Sequence, residues 1–303
     1  MRLFLPIILI GLLYINTADA SENDDTRLVL LGTGTPNAEP DRSGPSLAII
    51  VKDQSYIVDF GPGIVRQANK LYTQDNDAYL SLKPSNLKVA FLTHLHSDHT
   101  TGYPDLIFTP WVLERDTPLK VFGPKGIKSM TENVLNAYGS DIRYRIDGSE
   151  PANETGWDVV AEEIDEGIIY KDDLVEVLAF KVNHGAWKDA FGYKFITADK
   201  TIVVSGDTAP SDKLIEMAKD SDILVHEVYS QSGFDRRSDV WKNYHSKHHT
   251  STNELAEIAK ITKPKLLLLT HILFWGSSEE DIIEEIRSNY SGKVIVGEDL
   301  SVY

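Results

Sequence analysis

The sequence of 303 residues predicts an α/β layered sandwich, and three observations support this prediction. Short runs rich in Val, Ile and Leu recur along the chain, and helical patterns separate several of them, most regularly towards both ends. A turn at Ala198-Asp199-Lys200 joins two of the runs as a hairpin in the middle section. No internal repeat, low-complexity block or flexible linker interrupts the chain. Packed sheets with helices outside account for this mixture.

The predicted elements follow from these patterns in chain order. Runs of β-branched and other apolar residues, bounded by turn residues, predict strands at Arg27–Leu31, Ser46–Val51, Tyr56–Asp59, Leu87–Thr93, Leu119–Phe122, Val175–Val182, Gly192–Thr197, Thr201–Ser205, Ile223–His226, Leu266–Thr270 and Lys293–Val296. Apolar residues at helical spacing predict helices at Ile64–Leu71, Gly126–Tyr138, Ser211–Lys219, Thr252–Ile261 and Glu279–Asn289. We expect one domain over residues 27–303, preceded by a polar segment at 21–26.

The first twenty residues have the pattern of a secretory signal peptide. Arg2 precedes the apolar run Leu3–Leu13, and Ala18-Asp19-Ala20 fits a small-residue cleavage site. The run is about half of the ~20 residues that cross a bilayer, and Pro6 also weakens the alternative of an uncleaved anchor. The pattern predicts cleavage after Ala20 and a periplasmic or secreted protein without membrane attachment.

Composition excludes several kinds of chemistry. Lys and Arg number 30 against 46 Asp and Glu, so the net charge is −16. Such a chain repels a phosphate backbone unless a local basic patch overrides the field, and this disfavours nucleic acid as a partner. The chain has no Cys. Disulfides, thiolate metal ligands and cysteine nucleophiles are therefore excluded.

A cluster of metal-ligand residue types follows one apolar strand directly. Thr93 is followed by His94, His96, Asp98 and His99. Alternate residues of an extended segment share a face, so the first two histidines can bind one cation together. Asp98 and His99 come after the turn and can contact a second cation. The alternative is a solvated polar loop whose histidines have no shared role.

Three later strands each carry one further imidazole or carboxylate at the tip, where loops on a rigid scaffold build sites. These residues are His184, Asp207 and His271. Any one of them alone would more often be a capped strand end. Together with the histidine cluster, they supply the ligands that a pair of divalent ions needs.

On these residues the sequence resembles the metallo-β-lactamase-fold hydrolases, whose HxHxDH motif it carries intact. Within them it is most similar to the branch that holds ribonuclease Z and the zinc-dependent arylsulfatases. The matching segments are Leu31-Gly32-Thr33-Gly34-Thr35-Pro36, Asp59-Phe60-Gly61-Pro62-Gly63, Asp222–Tyr229 and His249-Thr250-Ser251-Thr252 with Glu254-Leu255-Ala256. The resemblance implies a four-layer αββα sandwich with the metal site between the inner edges of its sheets.

The resemblance also implies a binuclear centre. The first cation would be held by His94, His96 and His184, the second by Asp98, His99 and His271, and Asp207 would bridge them. Nitrogen and oxygen ligands suit Zn²⁺, with Mn²⁺ or Fe²⁺ as alternatives. A hydroxide between the two ions would attack the substrate, and Asp98 counts among the catalytic residues.

The resemblance further implies that His249, held by Glu227, donates a proton to the leaving group. A neighbouring carboxylate is expected to favour the protonated imidazole. Two alternatives stay open. Thr250 or Ser251 can make this segment merely a capped helix start, and Glu227 can be a rim charge.

The substrate is less defined than the reaction. Only 23 positions separate His184 from Asp207, which leaves no room for the tRNA-binding arm of ribonuclease Z. We therefore expect a small anionic ester, either a phosphodiester or an aryl sulfate, to be cleaved. Arg42 is a candidate to bind its anionic group, and Trp187 and Trp275 are candidates to contact a planar leaving group, although each can be structural instead.

Three other functions stay open at this point. They are hydrolysis of a C–O or C–N bond, as in lactonases and β-lactamases, cleavage of tRNA 3′ ends as by ribonuclease Z, and a metal-binding module without catalysis. The resemblance also allows a homodimer.

Overall fold

The chain folds into two face-to-face β-sheets with helices on both outer faces in a computed structural model, which describes residues 25–303. The strands are β1 Thr26–Gly32, β2 Ser46–Val51, β3 Gln54–Val58, β4 Val89–Phe91, β5 Leu119–Gly123, β6 Val159–Glu163, β7 Gly167–Lys171, β8 Glu176–Lys181, β9 Phe191–Ile196, β10 Thr201–Val204, β11 Ile223–Tyr229, β12 Leu266–Leu273 and β13 Val294–Val296. The α-helices are α1 Ile64–Gln74, α2 Ser97–Thr100, α3 Tyr103–Val112, α4 Ile127–Ala137, α5 Gly139–Asp147, α6 Asp212–Ala218, α7 Gln231–Asp235, α8 Asp239–His248, α9 Thr252–Thr262 and α10 Glu279–Arg287. Two 3₁₀ turns, Leu80–Leu82 and Pro84–Asn86, precede β4.

The two sheets divide the described chain into halves. The first sheet holds β1 to β6 in chain order, and the second runs from β13 to β7. In each sheet, hairpins pair the first strands antiparallel, whereas the later strands are parallel and connected by helices. Parallel strands place their carboxyl ends at one edge of the sheet, so the loops that follow them meet there.

Strand β1 illustrates how alternation fixes the layers. Leu28 and Leu30 pack into the core between the sheets, whereas Val29 and Leu31 pack against α1 and α3. The side chains of the second sheet alternate in the same way, and those on its outer face pack against α6, α9 and α10. The order helix, sheet, sheet, helix confirms the predicted four-layer αββα sandwich.

Several elements differ from the sequence prediction for identifiable reasons. Helix α3 was not predicted because it is buried on most sides and has no polar face to mark a helical period. Helix α8 is polar and aromatic on nearly all sides, so it also lacks an apolar stripe. Strand β12 continues past the predicted end at Thr270 to Leu273, because a bulge opposite Glu227 and Val228 accommodates His271 within the strand.

Candidate metal centre

Seven side chains that the sequence predicts as metal ligands come together at the carboxyl edge of the two sheets. They are His94, His96, Asp98, His99, His184, Asp207 and His271. The first four follow β4 directly, and the others follow β8, follow β10 or lie in β12. His271 has a φ of 46°, and the bulge at this point turns its ring towards the other ligands.

The first set contains three imidazoles whose ring nitrogens face one another. Nδ1 of His96 lies 2.9 Å from Nε2 of His94 and 3.1 Å from Nε2 of His184. Oδ2 of Asp207 lies 3.9 Å from Nε2 of His94. Burial lowers the pKa of His94 well below its usual value and that of His184 to about 3. Neutral imidazoles are the form that binds metal, so this donor set fits a divalent cation such as zinc.

The second set adds carboxylates to two buried imidazoles. Oδ2 of Asp98 lies 3.1 Å from Nε2 of His271 and 3.5 Å from Nε2 of His99. Oδ1 of Asp207 lies 3.5 Å from the same His99 nitrogen, which is buried and has no hydrogen-bond partner. Burial lowers the pKa of His271, but Asp207 and Asp98 outweigh this and raise it to about 9. The negative potential and the unpartnered nitrogen fit a second divalent cation.

Asp59 orients this second set, and sequence reasoning assigned it no role. Its Oδ2 accepts a 2.7 Å hydrogen bond from Nδ1 of His99, which leaves Nε2 facing Asp98 and Asp207. Its Oδ1 accepts the backbone N–H of Thr93 at 2.8 Å. Asp59 follows β3 as the predicted ligands follow their strands, and that position was the available signal. A carboxylate behind a ligand histidine fixes the ring orientation and its tautomer.

His249 and Glu227 lie beside the shared carboxylate. Nδ1 of His249 is 3.4 Å from Oε2 of Glu227 and 4.0 Å from Oδ2 of Asp207, and all three residues are buried. The Glu227 side chain is not a rim charge, because it is 1% exposed. The structure therefore brings together the pair that the sequence predicts.

The helix-cap alternative is also present and does not exclude the pair. Ser251 caps α9, and its hydroxyl accepts the N–H of Glu254, whose carboxylate accepts the N–H of Ser251 in return. Thr250 donates its N–H to Oε1 of Glu227 at 2.9 Å. The cap thus holds the start of α9, while Thr250 ties this segment to Glu227.

The protonation of the pair differs from the expectation. Burial lowers the pKa of His249 to about 4, although Asp207 acts in the opposite direction. Burial and the charge of Asp207 raise the pKa of Glu227 well above its usual value. Both shifts favour a neutral His249 beside a protonated Glu227, whose Oε2 has no other hydrogen-bond partner. Desolvation outweighs the attraction of the carboxylate that the sequence analysis invoked.

The three candidate substrate-binding residues have structural contacts of their own. Arg42 donates to Thr33 and to the carbonyl of Gly297, and it forms a 2.6 Å ion pair with Glu279. These partners occupy its guanidinium and do not favour the predicted role. The ring of Trp275 packs 4.5 Å from that of His245.

Trp187 lies at the centre itself. Its indole N–H donates a 2.7 Å hydrogen bond to Nε2 of His96. Its role as a platform for a planar leaving group stays a prediction, but its position beside a candidate ligand is established.

A family model described as a β-lactamase superfamily domain matches residues 55–272, which include the whole candidate centre. The chain belongs to the β-lactamase superfamily. Its closeness to ribonuclease Z within the superfamily is also apparent from sequence. The chain is 30% identical over 283 residues to ribonuclease Z of Mycobacterium bovis, an alignment that covers 90% of this chain and 96% of that relative.

Solved structures of the superfamily fold are similar to this one. The metallo-β-lactamase fold protein YhfI from Bacillus subtilis aligns with 92% of this chain and 100% of its own, with a TM-score of 0.70 and 17% identity. The short form of human tRNase Z aligns with 91% and 98%, with a TM-score of 0.65 and 20% identity. The resemblance drawn from the motifs is confirmed, and the chain is a metallo-β-lactamase-fold hydrolase close to ribonuclease Z.

The predicted localisation is wrong. Residues 1–20, which carry the predicted signal peptide, lie outside the described residues. The relatives that align with 90% of the chain are named ribonuclease Z, and this similarity contradicts an assignment to the periplasm or the medium. Within residues 25–303, no helix is long and apolar enough to cross a membrane.

Proposed function

We propose that the protein is a phosphodiesterase of the ribonuclease Z type that cleaves RNA with two zinc ions. The observation that carries this proposal is the position of Asp207 between the two donor sets. One of its oxygens lies 3.9 Å from His94 of the first set, and the other lies 3.5 Å from His99 of the second. A carboxylate shared in this way suits two neighbouring cations, the arrangement that phosphatases and nucleases use for phosphate esters.

The relatives support RNA over the small ester favoured by the sequence analysis. The missing arm was the main argument against ribonuclease Z activity, and the hairpin of β9 and β10 does fill the segment between His184 and Asp207. However, ribonuclease Z of Mycobacterium bovis aligns with this chain over 96% of its own length. Only about 4% of that relative lies outside the alignment, which is too short for a long additional arm. The short hairpin of this chain therefore does not oppose the proposal.

The residues of the chain supply orientation and proton transfer. Divalent cations bound here would lower the pKa of a water to provide the nucleophile and would stabilise charge on the phosphate oxygens. Asp59 holds the ring of His99 in the orientation that presents Nε2 to the centre. Burial keeps His94 and His184 neutral, so no proton competes for their ligand nitrogens.

His249 and Glu227 serve the leaving group. Cleavage of RNA expels a ribose oxygen, which needs a proton to leave at neutral pH. Oε2 of Glu227 lies 3.4 Å from Nδ1 of His249, and the raised pKa of this carboxyl favours its protonated form. As the imidazole gives its own proton to the leaving oxygen, Glu227 can replace that proton at Nδ1. The carboxyl then ionises and is stabilised by the N–H of Thr250.

The test is an assay of the zinc-loaded protein on three substrates, each with a chelator control. They are a short single-stranded RNA, bis(nitrophenyl) phosphate and nitrophenyl sulfate. We expect both phosphodiesters to be cleaved and the chelator to stop the reaction. Asp207→Asn is expected to lower turnover by at least about 100-fold, because it weakens both cation sites. Asp105→Asn is the matched control, since it removes one carboxylate charge from a surface ion pair with Arg66.

Hydrolysis of the sulfate with both phosphodiesters untouched would contradict the proposal and favour the sulfatase alternative. A lactone and a cephalosporin assayed in parallel test the carbonyl alternative, which cleavage of either of them with all three other substrates untouched would favour.

A further inference from the structure

A groove of about 940 Å³ lies beside the metal centre, between the loop that follows β8 and the side of α8. Its walls include Lys181, Lys188, Tyr244 and Lys247. The backbone N–H of Gly185 donates to the carbonyl of Lys247 at 2.9 Å, and this hydrogen bond joins the two walls. The feature is called the α8 groove below.

The α8 groove is continuous with the metal centre through two residues. His184 and Trp187 line the groove, and both also contact His96 in the first donor set. Nδ1 of His184 donates to the carbonyl of His248 at the end of α8. The α8 groove and the first donor set therefore share His184 and Trp187 as a common wall, and a polymer whose phosphate lies at the centre would have its neighbouring nucleotides at the groove.

The charge of the α8 groove is opposite to that of the chain. The net charge is −16, yet no Asp or Glu lines the groove anywhere in the part of the chain that the structure describes. Among residues 25–303, Lys188 and Lys247 are exposed and have no carboxylate within ion-pair distance. Lys181, by contrast, contacts Asp165 at 3.2 Å and Asp189 at 3.4 Å. Two unpaired ammonium groups beside a phosphodiester centre are complementary to further phosphates.

Aromatic rings complete the groove. Tyr244 stacks on His248 with ring centroids 4.0 Å apart and an interplanar angle of 19°, and both rings line the groove together with Trp187. Single-stranded nucleic acid is bound by this combination of cationic side chains for the backbone and aromatic rings for the bases.

We propose that the α8 groove binds the single-stranded RNA nucleotides next to the scissile phosphate, with Lys188 and Lys247 contacting backbone phosphates. This inference rests on the proposed phosphodiesterase function and adds where its polymeric substrate is held. The groove takes the place of a long arm in contacting RNA. It makes the chain selective for a polymer over a small ester.

The experiment compares the double variant Lys188→Ala/Lys247→Ala with Lys219→Ala/Lys293→Ala, which removes two exposed lysine charges outside the groove. We expect the groove variant to raise the KM for a short single-stranded RNA about tenfold and to leave kcat/KM for bis(nitrophenyl) phosphate unchanged. The slope of log affinity against log salt for the RNA should fall by about 1.4, because each phosphate contact on a single strand contributes about 0.7. Lys181→Ala should have a smaller effect, since its charge is already balanced.

Equal KM values for the RNA in the two double variants would overturn the inference, as would a parallel loss on both substrates. Fluorescence anisotropy of a labelled RNA measures binding without turnover and separates this inference from the proposed function. A wild-type protein that cleaves neither phosphodiester, but binds RNA through these lysines, would refute the proposed function and support the groove. A wild-type protein that cleaves RNA, with an RNA affinity that the groove variant does not change, would support the proposed function and refute the inference about the groove.

Discussion

The indole N–H of Trp187 donates a 2.7 Å hydrogen bond to Nε2 of His96. An accepting ring nitrogen carries no proton, so the neutral His96 ring has its proton on Nδ1. Nδ1 is the nitrogen that faces His94 and His184. A cation bound through Nδ1 needs its lone pair, which moves the proton to Nε2 and removes the acceptor from Trp187. The hydrogen bond and cation binding therefore compete.

Replacement of Trp187 by Phe is expected to strengthen zinc binding at the first donor set by about threefold to tenfold, the value of one lost hydrogen bond of ~0.5–1.5 kcal/mol. Competition with a chromophoric chelator measures the affinity. Trp157→Phe is the matched control, because it also removes an indole hydrogen bond, to the carbonyl of Glu154. Weaker zinc binding in the Trp187 variant would mean that the indole supports the ligand instead.

Asp59→Asn is expected to weaken the second zinc equivalent by tenfold to about 100-fold and to leave the first equivalent unchanged. The amide cannot accept hydrogen bonds from His99 and Thr93 as the carboxylate does, so the ring loses its fixed orientation. Zinc titration with two resolved equivalents measures this. Asp75→Asn, at an exposed turn, is the control. Equal weakening of both equivalents would indicate a general disturbance of the fold.

His249→Ala should lower kcat for RNA by about 100-fold or more, while bis(nitrophenyl) phosphate should lose less than about tenfold. The ribose oxygen needs a proton donor, whereas nitrophenolate is stable without one. The two substrates control for each other in steady-state kinetics. Similar losses on both would argue against proton donation by His249.

Arg115 is a stability determinant away from the metal centre. It is fully buried and donates to the carbonyls of Leu87, Leu106, Ile107 and Gly156 at 2.7 to 3.1 Å.

Replacing Arg115 by Met removes its four hydrogen bonds to buried carbonyls and is expected to lower the free energy of unfolding by about 2–4 kcal/mol. Urea unfolding measures the loss. Arg143→Met, which removes an exposed 3.5 Å contact with Ser140, should cost less than about 0.5 kcal/mol. Equal losses would contradict the role assigned to Arg115.

The pH dependence of stability should reflect His226. Burial lowers its pKa from 6.5 to about 4, so between these values the unfolded chain binds a proton that the native chain does not. The contribution of His226 to the free energy of unfolding is fully present above pH 6.5. It falls by on the order of 3 kcal/mol as the pH drops to 4. The difference in unfolding free energy between wild type and His226→Asn, measured from pH 7 to 4, isolates this effect. A constant difference across that range would contradict it.

The sequence places each candidate ligand at or near the end of an apolar strand, and strand ends meet at one edge of a sheet, whereas the division into two donor sets was implied by the family resemblance. The role of Asp59 could not be read in the same way. Its partner His99 lies 40 residues later, and their hydrogen bond depends on the parallel register of β3 and β4. For Arg42, the sequence predicted a substrate-binding role that its contacts do not favour. Its guanidinium is paired with Glu279, which is 237 residues away, and no local sequence feature indicates this ion pair.

The protonation of His249 also lay beyond the sequence. A neighbouring carboxylate can be inferred from a motif, but the extent of burial cannot, and here burial lowers the pKa of His249 and raises that of Glu227.

The donor residues come from both halves of the molecule, since His94 and Asp98 follow a strand of the first sheet, and Asp207 and His271 belong to the second. The cation-binding site between them exists only in the folded chain, because unfolding separates the two halves that supply its residues. By mass action, free zinc at 100 times its dissociation constant adds about 2.7 kcal/mol to the folded state per site. The melting temperature should therefore rise with zinc concentration, and zinc supply would govern how long the protein survives proteolysis as well as how fast it works.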